Sequence, residues 1–426
     1  MAEQSLRRRS LFAIFLTIFL DLVGFGMFIP VLITVAKNLG AGAAEAASIN
    51  TWYSVGTLLS VFFLGRMSDQ IGRKKLLIAT IAVSAVAHLA TGYANNFFLL
   101  LAVRFLAGAA AGNISIAQAC IADITAPKQR ASAMALIGIA FGGGFAVGPA
   151  LGAVISRFAG SDFMPAIGWT AFALNVINLV FVSKFLIETH PRFASVEMQR
   201  EKVDDGDTSI VAAAANSGAE SRPGSTIISD FVVLARSPAL RVTFLMQFLQ
   251  IFGFVGLETI LPLVLMDSYH FGTTQTYDAF VVLGISVLLI NGFIARPLLN
   301  HIDERIGVKI GQLCLCIGIG GIHLFAPLSG GLYLMLIVVA CGTSFTNPSV
   351  SSLTSKLCPP EQLGMSFGAL QVVGAAARIL GPISMGLLYH AAGGSRSLWV
   401  TVALIGLASL ASFFIPKPQV HAQTPH

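Results

Sequence analysis

Charge is what this chain has least of. Asp, Glu, Lys and Arg together make up 11% of its 426 residues, against roughly 25% in an ordinary soluble domain. With 55% apolar residues and a mean hydropathy of +0.80, it has too little polar surface to cover a water-facing globule, which argues against a soluble enzyme. Cysteine is scarce as well. Cys120, Cys314, Cys316, Cys341 and Cys358 all lie in or at the ends of apolar runs, and Cys314-Leu315-Cys316 has no matching His/Cys set. They read as small core residues, leaving neither a disulfide framework nor a metal site. The histidines, among them His88, His190, His301 and His323, form no ligand or nucleophile constellation. No G-x-x-x-x-G-K-[ST] loop or nucleotide domain is present, so ATP does not drive this protein and no cofactor is called for. The formal charge of +6 is not gathered into a basic domain, so nucleic acid is not an expected partner.

Long apolar runs are what the chain has in abundance. Stretches long enough to cross a bilayer as helices fall near 11–35, 47–64, 76–94, 97–121, 131–156 and 165–187, and again near 240–266, 277–299, 309–328, 332–355, 362–390 and 397–415. The first follows Arg7-Arg8-Arg9 but continues without a small-residue cleavage site, so it reads as a retained span rather than a signal peptide. The expected fold is an all-α polytopic membrane protein of twelve transmembrane helices in two six-helix bundles, residues 1–187 and 240–426, the latter with a short tail. Between them, 188–239 is expected to be a cytoplasmic linker with a flexible Ala/Gly/Ser-rich segment at Val211–Ser225. Of the 26 Lys and Arg, 21 fall on the side shared by both termini and the linker. Lys37, Arg157 and Arg396 fall opposite, and Arg104 and Arg378 lie inside spans. That bias places both termini in the cytoplasm.

The halves echo each other. The run Leu20 to Pro30 overlays Phe252 to Pro262, matching Gly24 to Gly256 and Pro30 to Pro262. The loop after the eighth span puts Glu304 and Gly307 where Asp69 and Gly72 stand in the first half. An internal repeat with a linker suits a carrier that works by alternating access.

Polar groups inside the spans are the candidates for function, because such groups are costly in hydrocarbon unless paired or facing a cavity. Asp21 and Glu258 each offer a proton acceptor or a counter-charge to a cationic cargo; the alternative is a hydrated or kink-capping role. Arg104 precedes Gly108 and Gly112 on one helical face, where a neighbouring helix can approach closely. It can lower the proton affinity of a nearby acid such as Asp21, or serve structurally by snorkelling. Gln371 and Arg378 lie seven residues apart on nearly one face. Arg378 can hold an anionic cargo or balance Glu258. Asn113, Gln118, Gln247, Asn291 and Asn347, with Asn50, can line a cargo route or tie helices together.

Three stretches carry a family resemblance. Gly65-Arg66-Met67-Ser68-Asp69-Gln70-Ile71-Gly72-Arg73-Lys74-Lys75, a short loop between the second and third spans, resembles the G-x-x-x-D-x-x-G-R-[RK] signature of the major facilitator superfamily. The helix-5 core Gly144, Gly148, Pro149 and Gly152 resembles the motif of its drug/proton antiporters, departing at Ala153. Ala122-Asp123-Ile124-Thr125 through Arg130 resembles a turn of bacterial tetracycline exporters. The resemblance implies that Gly65, Asp69, Gly72, Arg73, Lys74, Asp123 and Arg130 form a conformational latch. It also implies that Asp21, Arg104 and Glu258 couple transport to protons, and that the glycines of helix 5 pack against a neighbour. The activity implied is proton-coupled antiport exporting drugs or other amphiphilic small molecules, tetracycline among them, from a bacterial cell inner membrane, by a functional monomer whose partners are its cargo, protons and lipids. A carrier of an endogenous metabolite or organic anion is the alternative, pointed to by Arg378. A transport-inactive scaffold or receptor is a third.

Overall fold

The computed structural model describes residues 2–125, 127–189, 193, 237–299, 301–325, 330–357 and 363–414. The Ala/Gly/Ser-rich segment lies outside them. The described residues are almost wholly helical: α1 Ala2–Asn38, α2 Ala43–Ile71, α3 Arg73–Gly92, α4 Phe97–Ala110, α5 Asn113–Ile124, α6 Pro127–Ala159 and α7 Phe163–Phe185 in the first half. The second half holds α8 Pro238–Tyr269, α9 Thr273–Leu289, α10 Arg296–Leu299, α11 Glu304–Phe325, α12 Gly331–Leu357 and α13 Leu363–Ser412.

Twelve membrane crossings emerge from these helices, by three departures from a simple one-run, one-helix reading. The fourth crossing is split into α4 and α5, with a break at Ala111 and Gly112. A single π-turn, Ile290–Ala295, joins α9 to α10 within the eighth. Finally, α13 serves as two crossings. The apolar stretch Ala369–Ser412 has 44 residues, about twice what one bilayer passage needs at 1.5 Å per residue. It turns at Gly393, whose φ of 81° and ψ of 169° are non-helical. Backbone groups in hydrocarbon must be satisfied internally, so each run becomes helix and the irregular residues are few.

Contacts divide the chain into two units: Met1–Phe28 with Trp52–Pro223, and Ile29–Thr51 with Gly224–His426. The boundary therefore cuts through α1 and α2, whose adjoining ends group with the C-terminal helices. In the first unit the apolar core gathers Ile14, Ile18, Leu77, Ile81, Ile116 and Val182. In the second, Leu240, Phe244, Val308, Val350 and Leu370 do the same.

Between apolar helices in lipid there is little hydrophobic gain, so close backbone approach carries the packing. The glycines of α6 meet α1 in this way. A Cβ on Gly148 would stand 2.8 Å from both Gly26 Cα and the Val23 carbonyl oxygen, and one on Gly144 would stand 2.5 Å from Leu22 Cβ. Pro149 Cδ lies 3.2 Å from the Cβ position of Gly26, and Gly152 is buried on the same helix.

Candidate transport site

In the first unit, α1, α2, α3 and α4 bring a polar cluster into the membrane. Asp21 on α1 is 5% exposed and accepts a hydrogen bond from Ser84 Oγ of α3 at 3.0 Å. Arg104 on α4 is completely buried, and none of its three guanidinium nitrogens has a hydrogen-bond acceptor among the described residues. What surrounds it is aromatic: the guanidinium carbon stands 4.7 Å from the Tyr53 ring centroid and 5.5 Å from that of Phe25. Ring faces stabilise a cation, more so when it is desolvated, but they do not use its N–H donors. Asn113 opens α5 beside Asp21, and Gln118 is half-buried further along. His88 of α3 is buried, stacks on Phe28 at 5.8 Å, and lies 3.3 Å from Asn175 Nδ2. Asp21 and Arg104, though in one cluster, form no direct ion pair. Asp21 instead accepts its hydrogen bond from Ser84, a residue two spans further along the sequence that no local signal marks.

The second unit holds the other pair of intramembrane charges. Glu258 on α8 is half-buried and has no hydrogen bond or ion pair among the described residues. Arg378 on α13 is half-buried and folds back over Gly374, its terminal nitrogens 3.5 and 3.6 Å from where a Cβ would be. The expected balancing of Glu258 by Arg378 is therefore not formed. Gln371 is exposed one turn before Gly374, and Asn291 is exposed in the π-turn. Gln247 is half-buried on α8, and Gln250, three residues on, donates from Nε2 to Asn347 Oδ1 of α12 at 3.0 Å. Gln250 was not singled out in the sequence, although it is a polar residue in the same span as Gln247; its partner on α12 is what sets it apart.

Several of the residues expected to form a latch meet in the structure, though differently placed. Gly65 and Asp69 belong to the last turns of α2, so the expected loop shrinks to one residue, Gly72, at φ 101°. Only glycine takes that left-handed φ at low cost. Arg73 opens α3 and reaches Asp69 at 2.8 Å, Asp123 at 3.2 Å, and Ser68. Lys74 follows it on α3, and Arg130's side chain lies outside the described residues. Glu188, just past α7, was not anticipated. Its carboxylate accepts from the backbone N–H of Arg73 at 2.9 Å and of Lys74 at 3.2 Å. Those amides are orphan donors at a helix N-terminus, where a negative charge is also favoured by the helix dipole. A side chain on Gly72 would strike Glu188 Oε2 at 2.5 Å.

The second half carries the same device with its charges exchanged. Glu304, the first residue of α11, pairs with Lys356 and Ser352 near the end of α12. Arg73, the first residue of α3, pairs with Asp123 near the end of α5. Glu304 thus occupies the register of Arg73 rather than that of Asp69, a correction to the sequence alignment. Asp303 beside it binds Arg305, which holds its carboxyl below the usual range.

At the opposite end, inside the second unit, Lys37 of α1 bridges both Asp267 oxygens of α8 at 3.0 and 3.1 Å, and Tyr389 of α13 donates to the same carboxylate at 2.9 Å. Asn50 Nδ2 donates to Thr259 Oγ1 at 3.2 Å, and Thr51 Oγ1 to the Ile379 carbonyl at 3.0 Å. These bonds are what tie Ile29–Thr51 to the C-terminal helices.

Comparison with known proteins agrees with this architecture. The model of the Major Facilitator Superfamily matches residues 14–382 and 292–426, and the chain belongs to that superfamily. It is 28% identical to Major facilitator superfamily domain-containing protein 10 of Bos taurus, across 94% of this chain and 92% of that one. With the class E tetracycline resistance protein of Escherichia coli it shares 26% identity, across 95% of each. The crystal structure of the human organic anion transporter MFSD10 (TETRAN) superposes with a TM-score of 0.69 at 24% identity, over 95% of this chain and 99% of the other. The chain is a multi-pass secondary transporter and not an enzyme.

Proposed function

We propose that this superfamily member carries amphiphilic organic anions across a membrane by alternating access, coupled to protons. The observation that carries the reading is Arg104. A guanidinium stays charged under all ordinary conditions, and burying it without an acceptor is costly. The protein leaves its N–H donors unanswered between the Phe25 and Tyr53 rings. A carboxylate or sulfonate with an aromatic or aliphatic body supplies both the missing acceptor and an apolar surface for the rings. The organic-anion transporter among the similar structures supports the same cargo class, and the Lys/Arg bias supports cytoplasmic termini.

Protons enter through charge balance around Arg104. Phe25 of α1, Tyr53 of α2 and His88 of α3 stand against it, and Asp21 with Ser84 and Asn113 forms the neighbouring polar group of the same unit. In this reading an ionised Asp21, one helical turn before Phe25 on α1, offsets part of the Arg104 charge through space without pairing with it. When Asp21 takes a proton, Arg104 is left uncompensated and attracts the anion. Proton and anion therefore favour each other's binding, a reciprocal linkage. In sealed proteoliposomes, 2-naphthoate flux should follow an imposed pH gradient. Asp21→Asn should keep anion binding but lose its pH dependence, and Arg104→Gln should lose binding. Anion binding that survives Arg104→Gln unchanged would refute the assignment.

A second reading, proton-coupled export of cationic or tetracycline-like drugs, is favoured by Glu258, a half-buried carboxylate without a partner among the described residues, and by the likeness to tetracycline resistance proteins. Flux of a lipophilic cation, abolished by Glu258→Gln and untouched by Arg104→Gln, would establish it in place of the anion reading.

A further inference from the structure

Where α8 meets α12, the second unit holds a group of neutral polar side chains that neither packing nor helix capping explains. Gln250 is 2% exposed, and after donating to Asn347 its Oε1 has no donor among the described residues. Gln247, one turn earlier on the same face, also has its Oε1 buried without a partner. Ser344 is 1% exposed with an unpartnered hydroxyl, one turn before Asn347. Proline at 348 adds to the set: lacking an N–H, it cannot satisfy the Ser344 carbonyl four residues back. Unmet polar atoms this deep are expensive and are ordinarily answered by a partner.

The cluster is not sealed. Asn347 is exposed although it lies well inside a membrane-crossing helix. A carboxamide facing hydrocarbon is disfavoured, so this face lines a polar, water-reachable space, and Gln250 sits behind it. None of the four side chains carries charge, and the Ser344 carbonyl can only accept. The chemistry suits an uncharged group that brings its own hydrogen, a hydroxyl or an amide N–H.

We propose that Gln247, Gln250, Ser344 and Asn347 form a hydrogen-bonding subsite that receives a hydroxyl or amide group of the cargo, so that the carrier selects hydroxylated organic anions over their deoxy counterparts. The proposal rests on the organic-anion reading above. Its selectivity has a physical source: a site built around hydrogen bonds rejects an analogue that leaves its polar groups unpaired far more strongly than an apolar pocket rejects one extra methylene.

The test uses the purified full-length protein and two probes of nearly equal size, 6-hydroxy-2-naphthoate and 2-naphthoate, with binding read by thermal shift in detergent and KM read from flux in proteoliposomes. The intact protein should prefer the hydroxylated probe by about 10-fold or more. Gln250→Leu and, independently, the milder surface change Asn347→Ala should each bring the two probes to within about 2-fold by weakening only the hydroxylated one. Equal affinity for the two probes in the intact protein, or a preference that survives Asn347→Ala and Gln250→Leu, overturns the subsite while leaving the anion reading standing. Binding of neither probe overturns the anion reading and the subsite with it.

Discussion

Substituting Gly108 by alanine puts the packing argument to its hardest test. An added Cβ would lie 2.0 Å from the carbonyl oxygen of Tyr53, 2.7 Å from its carbonyl carbon and 2.9 Å from its Cα. All three atoms are backbone, so no rotamer relieves the clash, and α2 has to retreat from α4 by more than about 1 Å to reach normal contact. Overpacking of this kind costs about 1–3 kcal/mol. The retreat also draws the Tyr53 ring away from Arg104, one helical turn from Gly108, and puts at risk a contact worth about 0.5–2 kcal/mol. The hydrogen bond from Thr57 Oγ1 to the Gly108 carbonyl, 3.0 Å long, is strained by the same movement. Gly406→Ala is the matched comparison, since nothing lies within 4 Å of its Cβ position. There the substitution should be neutral or stabilise, because alanine suits a helix better by roughly 0.5–1 kcal/mol. Thermal unfolding in detergent and 2-naphthoate binding are the assays. Gly108→Ala should lower the melting temperature by at least about 2 °C and weaken the anion, while Gly406→Ala does neither. Two variants with the same melting temperature as the intact protein would refute the claim that glycine is there for close approach.

Other expectations follow from the same geometry. Glu188→Ala removes the cap of α3 and should cost about 0.5–2 kcal/mol, seen as earlier unfolding, whereas Glu188→Asp should restore part of it. Because Glu304 and Lys356 mirror Arg73 and Asp123 with opposite sign, Glu304→Lys alone should impair flux and Glu304→Lys with Lys356→Glu should recover it; a double variant no better than the single one would deny the ion pair its role. Lys37→Ala breaks a pair whose side chains are 27% and 38% exposed, so only about 0–1 kcal/mol is at stake. That is enough to change the accessibility of a cysteine introduced at Thr51 to a membrane-impermeant thiol reagent by at most about 5-fold, with little change in melting temperature.

Much of the fold was written in composition. Runs of apolar residues of bilayer length can only be helices in hydrocarbon, so the number of crossings and the repeat were legible. Arg104 with Gly108 four residues on, and Gly144 with Gly148, were legible too, because α-helical spacing puts such residues on one face whatever the rest of the chain does. Tertiary structure decided everything that depends on residues distant in sequence. Glu188 caps a helix that begins 115 positions earlier, Lys37 finds Asp267 across 230, and Asn50 finds Thr259 across 209; no local pattern specifies such partners. The same holds for the pairings that did not form. Asp21 with Arg104 and Glu258 with Arg378 are attractive on charge alone, yet charge fixes neither distance nor direction. It is the packing of α3 that gives Asp21 to Ser84, and the packing of α2 that gives Arg104 two aromatic faces instead of a carboxylate.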